Sequence, residues 1–157
     1  SAASDVYKRQ LEEIAEKAMA LGLDAVQLHG RVEELDWAKF LPGVFVIRVF
    51  HMTPDEEKNA PTLHDALRPG YHHIILLDTA TQGGQDGGSG VSFNWSHVSN
   101  IPVPFLIAGG LTPDNVQEAL TQSLAAGVDT SSGVETEGQK DTAKITAYVE
   151  NARRVLS

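Results

Sequence analysis

Three glycine-rich segments, each directly preceded by a run of apolar residues, constrain this chain more than any other feature. They occupy residues 74–90, 105–113 and 127–135. A short buried strand that ends in small residues leaves backbone amides accessible at one end of a parallel sheet. Three such strand ends in series predict a mouth that holds a phosphate group, with one well-placed acid, Asp78.

Apolar runs and helical spacings alternate along the rest of the chain. The predicted strands cover residues 24–29, 44–50, 73–77, 105–108 and 127–130. The predicted helices cover residues 11–21, 32–40, 112–125 and 140–155, with a polar helical stretch that begins at 53–56 and a short helical segment over 95–98. Thr112 and Pro113 have the residue types of a helix N-cap and first turn. Strands and helices in alternation predict an α/β fold with a parallel sheet.

The number of strands narrows the α/β class. A complete (β/α)8 TIM barrel takes about 250 residues, and compact ones about 200. Five βα units in 157 residues fit an incomplete barrel that contains strands four to eight. The alternative is an open doubly wound sheet, but that fold carries its glycine-rich loop after the first strand. Here the glycines follow the last three strands, which favours the barrel.

Composition excludes several kinds of partner. The net charge is −9 and the basic residues form no cluster, which argues against nucleic acid. The chain has no cysteine, so disulfides, thiolate metal sites and a thiol nucleophile are excluded within it. No apolar run approaches the roughly 20 residues of a membrane span. We therefore expect a cytoplasmic protein that binds neither nucleic acid nor membrane.

Residues 1–10 differ in character from the rest. Their sequence, Ser-Ala-Ala-Ser-Asp-Val-Tyr-Lys-Arg-Gln, resembles the in-frame translation of a transposase adapter used to build sequencing libraries. The alternative is an ordinary polar start of a helix. We expect an adapter-derived segment over 1–10 and one domain over 11–157, truncated at its N-terminal side.

The loops after the last two strands are the candidate phosphate site. Barrels commonly bind phosphate with the loops that follow strands seven and eight. Gly109 and Gly110 would let the backbone approach an anion, and Ser132 and Gly133 would add amides and a hydroxyl group. The alternative is that these glycines only form tight turns. Two such loops at the end of a βα series favour phosphate.

Four side chains near strand ends are candidates for the chemistry. Asp78 ends an apolar strand, where partial burial would raise its pKa and suit it to general acid catalysis. The alternative for Asp78 is a loop or cap hydrogen bond, and His29 is either a pocket residue or structural. Arg48 interrupts an apolar strand, so it would face substrate or pair with Asp129. The glycine-rich loop 79–90 could close as a lid.

Five motifs in order resemble one enzyme family, phosphoribosylanthranilate isomerase. They are Val-Gln-Leu-His-Gly at 26–30, Val-Ile-Arg at 46–48, Leu-Leu-Asp-Thr with Gly-Gly-Ser-Gly and Phe-Asn-Trp within 76–95, Ala-Gly-Gly-Leu-Thr-Pro-Asp-Asn-Val at 108–116, and Val-Asp-Thr-Ser-Ser-Gly-Val-Glu at 128–135. The resemblance covers residues 11–157. It implies a cofactor-free TIM-barrel enzyme of tryptophan biosynthesis that isomerises N-(5-phosphoribosyl)anthranilate to 1-(2-carboxyphenylamino)-1-deoxyribulose 5-phosphate.

The resemblance also implies roles for the candidate residues. Asp78 would be the general acid. Gly109, Gly110, Ser132 and Gly133 would hold the substrate phosphate, and His29, Arg48 and Asp129 would line the pocket. The family's general base is a cysteine in a Lys-x-Cys-Gly segment on the first strand, and that segment does not occur here. We therefore expect this chain to be inactive alone.

Two other functions stay open. A half-barrel could bind a phosphate ligand without catalysis, or pair with another chain through exposed strands at the ends of its sheet. Another phosphate-binding barrel enzyme of the same pathway is the third hypothesis. The acid and glycine loop within 76–90 favour the isomerase over that neighbour.

Overall fold

The structure, a computed structural model, describes the backbone of residues 2–29, 41–67, 73–79 and 93–157. The predicted helix 32–40 lies outside the described residues. Most of the predicted lid, from residue 80 onward, also lies outside them. No helix in the described ranges is long and apolar enough to cross a membrane.

A five-stranded parallel sheet forms the centre of the fold. Its strands follow chain order and are β1 Ala25–Leu28, β2 Phe45–Met52, β3 Ile74–Thr79, β4 Phe105–Ala108 and β5 Gly127–Val128. Each strand pairs with the next in parallel. The predicted α/β fold with a parallel sheet is therefore confirmed, and all five carboxyl ends lie at the same end of the sheet.

Both faces of the sheet are apolar, as expected of parallel strands covered on two sides. Successive side chains alternate between faces, so Ile75 and Leu77 on β3 face one way while Leu76 and Asp78 face the other. The first face packs against α-helices in the largest core cluster, which includes Ile107 and Tyr148. The second face carries a smaller buried cluster of Val49, Leu76 and Ala108.

Within the described residues four α-helices accompany the sheet: α1 Ala2–Leu21, α2 Glu56–Ala66, α3 Val116–Ser123 and α4 Thr142–Leu156. Helix α1 begins well before Leu11, where apolar spacing predicted its start. In α4 the Asp141 side chain accepts hydrogen bonds from the amides of Ala143 and Lys144, at 2.9 and 3.2 Å. These bonds satisfy amides that have no partner inside the helix, which fixes where α4 begins.

The predicted start of α3 at Thr112 is wrong. The helix begins at Val116 with Asn115 at its N-cap. The Asn115 side chain folds back, accepting from the Thr112 amide at 2.8 Å and donating to the Gly110 carbonyl at 2.9 Å. Residues 112 and 113 therefore form a turn that precedes the regular helix, and the Asn115 side chain stabilises this turn through its hydrogen bonds.

A small hairpin follows the last strand of the sheet. Strands β6 Glu135–Thr136 and β7 Gln139–Lys140 pair antiparallel. Glu137 and Gly138 both have positive φ, 52° and 76°, as a two-residue hairpin turn requires. The hairpin leads directly into α4 and places Lys140 beside the loop after β5.

Candidate active site

The carboxyl ends of the first three strands bring together two imidazoles and a carboxylate. The sheet register pairs His51 on β2 with Asp78 on β3. The ring centroids of His29, just after β1, and His51 lie 6.0 Å apart. His51 therefore belongs to the same cluster as Asp78 and His29, although sequence reasoning passed over it. Its place at the end of an apolar strand, like that of Asp78, was the signal that could have found it.

Asp78 has the electrostatic setting of a protonatable group. Partial burial is the largest influence and raises its pKa, because burial disfavours the charged carboxylate. The nearby His51 and His29 act in the opposite direction, and the carboxylate of Asp129 adds to the rise. The net direction is upward, so Asp78 keeps its proton to a higher pH than an exposed aspartate does.

Gly109 lies directly against Asp78. Its φ is +87°, and a Cβ built there would lie 2.7 Å from Asp78 Oδ1 and 2.6 Å from both Thr79 Cβ and Thr79 N. Carbon atoms do not approach other atoms this closely, so a side chain at this position would displace β3. The glycine is thus needed for close packing against the acid, a role that sequence reasoning, with its phosphate interpretation, did not foresee.

The two candidate phosphate loops are in direct contact. The Thr130 hydroxyl donates a 2.7 Å hydrogen bond to the Leu111 carbonyl oxygen. A Cβ on Gly133 would overlap that same carbonyl group. Gly110 and Ser132 are both exposed on these loops. The structure therefore brings together Gly109, Gly110, Ser132 and Gly133, as the sequence predicted, and leaves part of their backbone accessible.

Lys140 is a further residue that sequence reasoning missed. Its ammonium group donates to the backbone oxygen and hydroxyl of Ser131, at 2.9 and 3.0 Å. It also lies 2.6 Å from a carboxylate oxygen of Glu135. The hairpin position of Lys140 had no signature in the sequence, because only the folded turn returns the chain to Ser131. The contacts place a positive charge beside the loop after β5.

Arg48 does not join the cluster. Strand alternation puts it on the face opposite Asp78, since the register pairs Arg48 with Ile75 and His51 with Asp78. Its guanidinium is buried and lies 5.6 Å from the Phe50 ring centroid. This geometry does not support the expectation that Arg48 lines the substrate pocket. The sequence marked the residue as unusual but could not assign its face.

Asp129 follows β5 and is exposed. Its amide donates to the Ile107 carbonyl at 2.9 Å, which extends the pairing of β4 and β5 beyond the regular strand. Burial raises the pKa of both Asp78 and the Tyr148 hydroxyl, and the charge of Asp129 adds to each rise. Within the described ranges, no three His, Cys, Asp or Glu side chains are grouped to hold a metal ion.

The fold and this arrangement define a class: an α/β protein with a parallel sheet, whose strand ends carry a partly buried acid and paired glycine loops. The model of the N-(5'phosphoribosyl)anthranilate (PRA) isomerase family matches residues 6–151. The N-(5'-phosphoribosyl)anthranilate isomerase of Eremothecium gossypii is 40% identical over 152 residues, which cover 92% of this chain and 68% of that protein. The chain belongs to the phosphoribosylanthranilate isomerase family.

Larger proteins and solved structures agree with this membership. A multifunctional tryptophan biosynthesis protein of Schizosaccharomyces pombe is 43% identical over 145 residues, but the chain spans only 18% of its length. The crystal structure of the Thermotoga maritima isomerase superposes with a TM-score of 0.72 at 31% identity, over 92% of this chain and 68% of that one. An isomerase solved with reduced 1-(o-carboxyphenylamino)-1-deoxyribulose 5-phosphate has a TM-score of 0.68 at 29% identity, over 92% and 66%.

Proposed function

We propose that this chain is the part of a phosphoribosylanthranilate isomerase that supplies the acid and the phosphate clamp. The reaction is the Amadori rearrangement of N-(5-phosphoribosyl)anthranilate in tryptophan biosynthesis. One observation carries the proposal: Asp78, with its pKa raised by burial, packs directly against the glycine loop that follows the next strand. Family membership and the likeness to an isomerase solved with a reduced product analogue support it.

Asp78 is assigned the first proton transfer. Its carboxyl group donates a proton to the ring oxygen of the phosphoribosyl group. The bond from that oxygen to C1 breaks while the nitrogen lone pair forms a C1=N double bond, so the ring opens to an iminium ion. A base must then remove the C2 proton to give the enol, which becomes the ketone product. The raised pKa suits Asp78 to the first step, since the acid keeps its proton to a higher pH than an exposed aspartate does.

The two joined loops are assigned to the phosphate. Gly109, Gly110, Ser132 and Gly133 would present amides and one hydroxyl to it. The contact between Thr130 and Leu111 fixes the spacing of the loops before substrate arrives. His29, exposed beside Asp78, and Asp129 are assigned to the rest of the pocket. Arg48 is left out because it lies on the other face.

The proposal includes an incomplete barrel. The five parallel strands would be strands four to eight of a (β/α)8 barrel, with native sequence over 11–157 and adapter-derived sequence over 1–10. The base of the family's reaction belongs to its first strand, so the chain by itself would be inactive. A cytoplasmic location stays a prediction.

A half-barrel that acts with a partner chain is the second candidate. The observation that favours it is the strand order, because β1 and β5 are the end strands of the described sheet. End strands have backbone groups available for pairing with another chain. On this view the partner would supply the missing strands, or the pair would bind a phosphorylated ligand without turnover.

Complementation of a tryptophan auxotroph that lacks the isomerase tests the proposal. The chain alone should not restore growth. Co-expression with the first three βα units of the E. gossypii relative should restore it, and Asp78→Asn should abolish that rescue. Asp65→Asn, an exposed carboxylate on α2, is the matched control and should leave growth unchanged.

Each arm has an outcome that contradicts part of the proposal. Growth with the chain alone would show that no other strands are needed. If co-expression still restores growth with Asp78→Asn, Asp78 is not the general acid of the reaction. If co-expression fails to restore growth although the two pieces co-purify and bind inorganic phosphate, the second candidate is favoured.

A further inference from the structure

His51 stands at the centre of the candidate site without an assigned role. Its β2 position pairs with Asp78 in the sheet, and its ring lies 6.0 Å from that of His29. By strand alternation it faces the same side as Val49 and Asp78. His51 is exposed, so its nitrogen atoms can reach a molecule bound at the carboxyl end of the sheet.

The described histidines differ in whether their ring nitrogens already take part in hydrogen bonds. His73 has a structural role, because its Nδ1 accepts a 2.9 Å hydrogen bond from the Val46 amide and its ring stacks on Phe45 at 4.8 Å. In the part of the chain that the structure describes, no hydrogen bond reaches the His51 imidazole. Both nitrogens of His51 are thus available to a ligand, whereas Nδ1 of His73 is not.

An apolar floor lies beside His51 on the same face. Val49, Leu76 and Ala108 are 3%, 1% and 5% exposed, and Ile47 and Leu106 pack against them. Because these three side chains are already buried, an aromatic ring bound here would remove water mainly from the partly buried Ile47 and Leu106. A charged group on that ring would then need a polar partner at the margin, where His51 and His29 lie.

The order of groups along the strand ends matches the order of groups in the proposed substrate. Adjacent strands are about 4.8 Å apart, so β2 and β4 are separated by about 10 Å. The glycine loops follow β4 and β5, Asp78 is on β3, and the two imidazoles lie at the ends of β1 and β2. In the substrate, the phosphate and the aromatic carboxylate lie on either side of the ribose ring oxygen.

The charge around the site also indicates that the imidazoles face an anionic group of the substrate. Asp78 and Asp129 are both acidic, and the whole chain carries a net charge of −9. A substrate with a carboxylate and a phosphate would be repelled from such a mouth unless donors faced each anion. The loops provide them for the phosphate, and on the other side of Asp78 the His29–His51 pair offers ring N–H donors, next to the Gln27 amide nitrogen, which lies 3.4 Å from His29 Nε2.

We propose that His51 binds substrate by donating a ring N–H hydrogen bond to the aromatic carboxylate, beside His29. The inference rests on the proposed function, since it takes the substrate class from it. His51 thereby fixes which end of the substrate lies at β1 and β2. It makes the site specific for an ortho-carboxylated aromatic amine over the unsubstituted one.

Calorimetric titration of two ligands into the chain tests the role of His51. One ligand is reduced 1-(o-carboxyphenylamino)-1-deoxyribulose 5-phosphate, and the other is the same compound without its carboxylate. His51→Ala should weaken the first ligand roughly tenfold, as expected for loss of a hydrogen bond to a charged group, and leave the second unchanged. His64→Ala, which removes an exposed imidazole on α2, is the matched control and should change neither.

A direct readout accompanies the affinities. In NMR spectra the ring N–H proton of His51 should shift downfield with the carboxylated ligand alone, as expected of a hydrogen bond to a carboxylate, while the amide spectrum of His51→Ala should show an intact fold. Equal affinity of unsubstituted chain and His51→Ala for the carboxylated ligand would overturn the proposal, as would an equal loss for both ligands. If both ligands bind only as tightly as inorganic phosphate, the phosphate clamp stands and the role of His51 fails. Absence of all binding, phosphate included, would overturn both.

Discussion

The carboxyl end of the sheet has two sides that are built differently. On the acid side, at the ends of β1 to β3, the polar surface belongs to side chains: His29, His51 and Asp78. On the loop side, after β4 and β5, it belongs to backbone held by glycines and internal hydrogen bonds, as between Thr130 and Leu111. Substitutions on the acid side should leave the backbone in place, whereas substitutions of the glycines on the loop side should displace it.

The reason lies in what each side packs against. His29 and His51 are exposed, so their replacement would disturb few neighbours. Gly109 and Gly133 have no room for a single added carbon, because Asp78, Thr79 and Leu111 lie against them. Substitutions on the acid side should therefore alter ligand binding, and substitutions on the loop side should alter stability first.

The largest effect is expected at Gly109, where the two sides meet. Gly109→Ala combines an unfavourable positive φ with a steric clash against Asp78 and Thr79, and should lower the free energy of unfolding by about 3 kcal/mol. Gly22→Ala is the matched control, since φ is +62° there but the space is open, and it should cost about 1 kcal/mol. Urea unfolding followed by circular dichroism measures both. Equal losses would show that the contact with Asp78 does not constrain the loop.

A smaller effect is expected where one loop is bound to the other. Thr130→Val removes the hydrogen bond to the buried Leu111 residue and should cost about 1 kcal/mol in unfolding free energy. Thr121→Val removes a similar 2.7 Å bond, to the Gln117 carbonyl, from the exposed surface of α3 and should cost less. Phosphate affinity, measured by calorimetry, should fall for Thr130→Val alone. A fall in phosphate affinity for both variants would show that phosphate binding does not depend on the contact between Thr130 and Leu111.

The smallest stability effect is expected on the acid side, and its sign depends on pH. Because burial raises the pKa of Asp78 in the folded chain, its contribution to stability is full below the ordinary aspartate pKa and declines as pH rises through the folded value. Asp78→Asn removes that decline and should stabilise the fold near neutral pH by at most about 1 kcal/mol. The gain should vanish in acid. Thermal unfolding at several pH values measures how the stability difference between Asp78→Asn and the unsubstituted chain changes with pH. If burial were not the dominant influence on Asp78, that difference would change with pH in the opposite direction.

The sequence was a good guide wherever a local pattern decides local structure. Apolar runs predicted all five strands of the sheet, and β4 was predicted with its observed bounds, Phe105–Ala108. The glycine loops after β4 and β5 were predicted as neighbours, since parallel strands end on the same side. Prediction failed at Thr112, because the cap residue types there also suit the turn that Asn115 stabilises.

Side-chain direction was harder to predict. Arg48 and His51 both interrupt the apolar character of β2, and alternation puts them on opposite faces. An assignment of faces needs the register with β3, which is fixed by long-range pairing and not by β2 itself. Lys140 was missed for a related reason, since its contact with Ser131 exists only once the hairpin closes.

By itself the sequence determined the order of strands and helices, the acid at the end of β3, the glycine positions and the family. The tertiary structure decided that His51 joins Asp78, that Arg48 does not, and that Gly109 packs against the acid. The division has a physical cause. Periodicity and turn chemistry act over a few residues, but a shared sheet face and a contact with no room for a Cβ depend on the register between strands that are far apart in the chain.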